Sequence, residues 1–65
     1  MSASEPAKKH AQILDASVDV IGNRGFYEAS VSEIARKAGV ATGTVYNYFE
    51  RKEDLLVEVF RKFLG

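Results

Sequence analysis

Thr44 and Asn47, with Gly43 beside them and Tyr46 and Tyr48 to either side, are the residues whose types and spacing could do chemistry, and that chemistry is recognition. They lie in VATGTVYNYF, residues 40 to 49, which carries no charged side chain. If residues 42 to 48 are helical, a step of about 100° per residue puts Val45 and Phe49 on one side and Asn47 almost opposite. Gly43 and Thr44 then fall within about 60° of Asn47, and the two tyrosines flank it at about 100° to either hand. Thr and Asn match base edges in a DNA major groove, glycine lets the backbone approach, and lateral tyrosine hydroxyls reach phosphates on both groove walls. The stretch also fits a blander role, in which both tyrosines cap a small core with their hydroxyls in water.

Nothing else in the chain offers catalysis. There is no cysteine, no nucleophile with an adjacent base, no phosphate-cradling glycine loop and no metal-ligand cluster. His10, the single histidine, stands beside Lys8 and Lys9 without a second ligand at i+3 or i+4, which argues against a metal. Asp15 and Asp19 read as a solvated face. Arg36 and Lys37 could touch a DNA backbone or simply face water. The expectation is a non-enzyme without catalytic residue, cofactor or metal.

The elements that must position residues 42 to 48 belong to one small domain, since 65 residues bury only roughly 60% of the surface exposed when unfolded. Nine basic and nine acidic residues cancel, so a nucleic-acid partner would have to be argued from placement and not from net charge. No run approaches the roughly 20 apolar residues of a membrane span, and MSASEPAKKH lacks the apolar core of a signal peptide. The reading is a cytoplasmic protein with no membrane association. Residues 1 to 6 read as a disordered lead.

Ile13, Leu14, Ser17, Val18, Val20 and Ile21 fall at helical spacing and predict a first helix over about 7 to 24, ended by Gly25 in a left-handed conformation. SVSE is a capping box, in which Ser30 accepts from the amide of Glu33 and Glu33 reaches back to that of Ser30. It opens a second helix with Val31, Ile34, Ala35 and Ala38 inward, stopped by Gly39. After residues 42 to 48, Leu55, Leu56, Val59, Phe60, Phe63 and Leu64 predict a fourth helix, with Glu53 and Asp54 early and Arg61 and Lys62 late, as the helix dipole prefers. A short capped helix, a glycine turn and a second short helix describe a helix-turn-helix, whose second helix enters the groove.

The run ILDASVDVIGNRGFYEASVSEIARKAGVATGTVYNYFERKEDLL closely resembles the N-terminal DNA-binding domain of the tetracycline-repressor (TetR) family of bacterial regulators. The likeness spans about residues 8 to 64. It is carried by IL with Ala16 and Ser17, Gly25, Ile34 and Ala35, AGV at 38 to 40, GTVY at 43 to 46, Phe49 and KEDLL at 52 to 56. The resemblance implies an all-α, homeodomain-like three-helix bundle over residues 7 to 50. Residues 51 to 65 would begin a fourth helix leading to an absent effector and dimerisation domain. It implies base reading by Thr42, Gly43, Thr44 and Asn47, and phosphate contacts from Ser30, Ser32, Tyr46, Tyr48 and Lys52. It further implies a homodimer on a pseudo-palindromic double-stranded DNA operator, acting as a repressor that responds to a small-molecule effector.

Four positions depart from the family pattern. Ala41 and Arg51 stand where capping residues are common, so both following helices are expected to begin on weakened caps, at about 0.5 to 2 kcal/mol for an alanine N-cap. Tyr48 stands where histidine is common, and Ser17 replaces a usual alanine. The fourth helix also has apolar residues over about 200° of arc, wider than a surface helix needs, so Phe63 and Leu64 are expected to face something beyond this chain. An alternative is a protein-interaction module anchored on Tyr46, Tyr48 and Phe49, compatible with the neutral charge.

Overall fold

Helix α1 (Glu5–Arg24) forms around one inward stripe, Ile13, Ala16, Ser17 and Val20, all buried at steps of three and four residues. In the computed structural model, which describes residues 5–64, three further helices follow: α2 (Val31–Ala38), α3 (Thr42–Tyr48) and α4 (Lys52–Leu64). Glu5 and Pro6, expected in a disordered lead, belong to the helix. A proline is tolerated in a first turn, where its missing N–H would have no partner. Residues 1–4 of that lead lie outside the described residues.

Ala16 takes the inward place, while Leu14 and Val18 are only partly buried. Burial of Ser17 leaves no orphan, since its hydroxyl donates to the Ile13 carbonyl one turn back at 2.7 Å; a buried hydroxyl without a partner would be destabilising. Gly25, at φ 84°, ends α1 with its N–H on the Ile21 carbonyl at 2.8 Å, a backbone conformation open to glycine and strained for other residues.

Helix α2 begins on Ser30, whose hydroxyl accepts from the Glu33 amide at 3.0 Å. The other half of the predicted capping box does not form: the Glu33 carboxylate turns to the Arg24 guanidinium and ties α2 to the end of α1. Gly39, at φ 77°, donates to the Arg36 carbonyl, and Val40 donates to that of Ala35 at 2.9 Å. These are the paired bonds of a Schellman ending, and they reverse the chain into α3.

The core joins Ile13, Ala16 and Val20 of α1 to Ala29, Val31, Ile34 and Ala35, then to Val45, Phe49 and Leu55. Helix α1 packs on α2 and α4, and α2 packs on α3. Helix α3 is thus a short rod laid against α2. Among the described residues no helix is long and apolar enough to cross a membrane.

Candidate nucleic-acid interface

Helix α3 has the two-sidedness that its spacing predicts. Val45 is fully buried and Phe49 is 4% exposed, while Thr42, Gly43, Tyr46 and Asn47 are exposed and Thr44 and Tyr48 are half-buried. A Cβ built on Gly43 meets nothing within 4 Å. Packing inside the domain therefore does not require glycine there, whereas the approach of another molecule could. Burial of Phe49 removes the aromatic anchor patch of the interaction-module reading: one of its three rings belongs to the core.

The start of α3 is bare. Ala41 makes no side-chain cap bond, although its carbonyl accepts from the Thr44 and Val45 amides at 3.0 and 3.3 Å. Among the described residues no side chain of α3 has a hydrogen-bond or ion-pair partner, so the outward hydroxyls and the Asn47 amide are unengaged. The end of α3 is steadied by a contact absent from the sequence reading. The His10 ring lies 5.0 Å from the Phe49 ring and edge-on to Tyr48 at 6.4 Å. His10 is thus a packing residue under the end of α3. Its spacing from the aromatics, some 40 positions along the chain, left no local signal.

Ser30 and Ser32 are exposed at the start of α2. With its oxygen accepting from Glu33, the Ser30 hydroxyl keeps its own hydrogen to donate. Lys52, first residue of α4, is half-buried. Its ammonium sits 4.6 Å from the centre of the Phe26 ring and 3.4 Å from the Tyr27 carbonyl. The helix start has a bond the sequence reading did not expect: the Asp54 carboxylate accepts from the Arg51 amide at 3.2 Å, one half of a capping box whose other half the Arg51 side chain cannot supply.

The acidic residues of α1 are not merely solvated. Asp19 pairs with Lys37 at 2.7 Å and Asp15 with Lys62 at 3.6 Å, fastening α1 to α2 and to α4. The hydrogen bond from Lys37, together with its charge, holds the Asp19 carboxyl below the usual carboxylate range, and Asp19 raises Lys37 in return. Lys37 is accordingly engaged on the α1 side, while Arg36 is exposed. No group of three or more His, Cys, Asp or Glu among the described residues could hold a metal ion.

Residues 13–59 match the family model described as bacterial regulatory proteins, tetR family. The chain is similar to the fatty acid metabolism regulator protein of Bacillus subtilis (strain 168), with 49% identity over 57 residues, covering 88% of this chain and 29% of that one. It is also similar to the transcriptional regulator BetI of Rhizobium meliloti (strain 1021), with 43% identity over 61 residues, 94% of this chain and 30% of that one. Among solved structures, the fatty acid degradation regulator FadR of Bacillus halodurans superposes with a TM-score of 0.78 at 51% identity, over 85% of this chain and 30% of that one. The chain spans about three tenths of the length of these relatives.

Proposed function

The chain belongs to the tetR family of bacterial regulatory proteins, and on that premise we propose that it is a sequence-specific DNA-binding head, with α3 as the helix that enters the major groove. Thr42, Gly43, Thr44 and Asn47 read base edges. Ser30, Ser32, Tyr46, Tyr48 and Lys52 hold phosphates on either side. The single observation that carries this reading is the division of α3, with Val45 and Phe49 in the core and Gly43 and Asn47 exposed. Small polar groups without internal partners are what a base-reading surface requires.

In this reading residues 7–50 are the helix-turn-helix domain, and the segment from Arg51 onward connects it to an effector and dimerisation domain in a longer protein. The outer face of α4 supports the second point, since Val57, Phe60, Phe63 and Leu64 are all exposed. Two heads would then meet a pseudo-palindromic operator in the cytoplasm as a homodimer. A small effector on the second domain would release repression. A lone head with a formal net charge of zero binds weakly and with strong salt sensitivity; joining two on a rigid two-fold scaffold makes the second contact intramolecular and gains at least about a hundredfold.

Selection of duplexes from a random-sequence pool tests the proposal. Enrichment of one half-site motif is expected, with affinity falling steeply as salt rises. Recovery of the pool without sequence preference would overturn it, and salt-independent capture of protein instead of DNA would favour an interaction module.

A further inference from the structure

We propose that Phe26 is a positioning residue for DNA binding: its ring, with the Tyr27 carbonyl, sets the Lys52 ammonium in place for a phosphate before DNA arrives. The inference rests on the DNA-binding reading and adds the α1–α2 turn, which no sequence motif assigned, to its machinery.

Three observations carry it. First, Lys52 occupies the first turn of α4, where the helix dipole disfavours a cation. Unlike Lys37 and Lys62, which reach Asp19 and Asp15, it has no carboxylate partner among the described residues. Its charge remains free for an incoming anion. Second, the half-buried Lys52 is held by two neutral groups, the Phe26 ring at 4.6 Å and the Tyr27 carbonyl at 3.4 Å. A ring face attracts an ammonium without neutralising it. Third, the turn bearing these groups is itself braced. Gly25 reverses the chain at φ 84°, the Ala29 amide closes onto the Gly25 carbonyl at 3.0 Å, and Ala29 is 1% exposed. The Tyr27 ring meets Phe26 edge-on at 5.6 Å, although Tyr27 itself is 92% exposed.

A free lysine loses much rotamer freedom when it is fixed on a phosphate. Holding the ammonium in advance removes part of that loss from the binding step, which is the gain from preorganisation. Phe26 thus acts through Lys52 and need not touch DNA.

The test uses the 65-residue chain, a duplex recovered by the selection above, and the variants Phe26→Leu, Phe26→Met, Phe26→Tyr, Lys52→Ala and Phe26→Leu/Lys52→Ala. Without DNA, the Lys52 Hε protons are expected upfield through the ring current in wild type and Phe26→Tyr, and at ordinary positions in Phe26→Leu. Phe26→Leu should weaken binding about two- to fivefold, the range of an exposed cation–π contact, with Phe26→Met matching it and Phe26→Tyr restoring affinity. The loss should vanish in the Lys52→Ala background. Lys52→Ala should flatten the slope of log affinity on log salt by about 0.9, whereas Phe26→Leu, which removes no charge, should leave it unchanged. Phe26→Met keeps the comparison available should Phe26→Leu fold poorly, and the wild-type ring shift needs no variant.

Unshifted Lys52 protons, wild-type affinity in both Phe26→Leu and Phe26→Met, or a loss that persists without Lys52 would each overturn the inference while DNA binding stood. Absence of DNA binding by wild type, with the ring shift present, would overturn the DNA-binding reading and the inference with it.

Discussion

Helix α2 begins on Ser30, whose hydroxyl caps the Glu33 amide, and ends on a glycine in the left-handed conformation; α3 begins on Ala41, which offers no side-chain cap. The two are of similar length, eight and seven residues, too short to persist alone in water. What holds them differs. Helix α2 buries Val31, Ile34 and Ala35 and is pinned to α1 by Arg24–Glu33 and Lys37–Asp19. Helix α3 buries only Val45, and its C-terminal anchor Phe49 lies just past its end. The contrast teaches a division of labour. Two polar side chains of α2, Glu33 and Lys37, are used within the domain, whereas among the described residues none of α3's is, and the proposed reading surface needs such unengaged groups.

The largest test of this contrast is Ile34→Ala, which removes a fully buried α2 side chain from the common core. Ile34 is 0% exposed, and truncation of a buried isoleucine costs about 2 to 5 kcal/mol. In so small a domain that is enough to abolish cooperative thermal unfolding, followed by circular dichroism. The cap asymmetry gives a smaller pair of effects. Ser30→Ala should destabilise by about 1 kcal/mol, while Ala41→Ser should stabilise by a similar amount through the missing bond. Urea titration reads both, and equal responses at the two sites would erase the distinction between the helices.

Gly43→Ala separates stability from function more finely. The new Cβ meets no atom within 4 Å and improves helix propensity, so the variant should be more stable by about 0.5 kcal/mol. In the proposed docking it should nonetheless bind the selected duplex less tightly, because the methyl would stand between the α3 backbone and the groove floor. Unaltered affinity in the same titration would leave Gly43 without a reading role.

The smallest expected effect is that of the Asp19–Lys37 pair, which is exposed and screened by salt. The pair lowers the Asp19 pKa from its model-peptide value of 3.8, so its contribution is present above that value and lost as pH falls through the lower folded-state one. For Lys37, raised from 10.5, the contribution is present below that value and lost as pH climbs through the higher folded-state one. The Tm difference between wild type and Asp19→Asn should therefore shrink as pH drops below 3.8, and shrink again in about 1 M salt at neutral pH.

Helix positions were legible because local signals agreed with one another. Ser30 and Gly39 bracket α2, and the alternation of Val45, Asn47 and Phe49 orients α3 without any knowledge of its neighbours. Contacts between distant positions were not legible. Glu33 had an equally reasonable local partner in the Ser30 amide, and only the approach of Arg24 across the α1–α2 turn decides between them. His10 under Phe49 and Phe26 under Lys52 join residues 39 and 26 positions apart, and no periodicity marks such pairs. Asp15 and Asp19 looked solvated for the same reason, since their lysines come from α4 and α2. The Asp54 carboxylate at the Arg51 amide was within local reach, but attention to the N-cap residue alone passed over a carboxylate three positions later.

The central claim is that the outward face of α3 reads bases while its flanks hold the backbone, and Asn47→Ala tests it most directly in a binding selection alongside Tyr46→Phe and Lys52→Ala. Asn47 is exposed and has no internal partner among the described residues, so its removal should leave the fold intact. The account predicts that Asn47→Ala changes base preference at one position of the half-site by about 1 to 3 kcal/mol, while the other two variants weaken binding to all sequences alike. An unchanged motif with Asn47→Ala would contradict it.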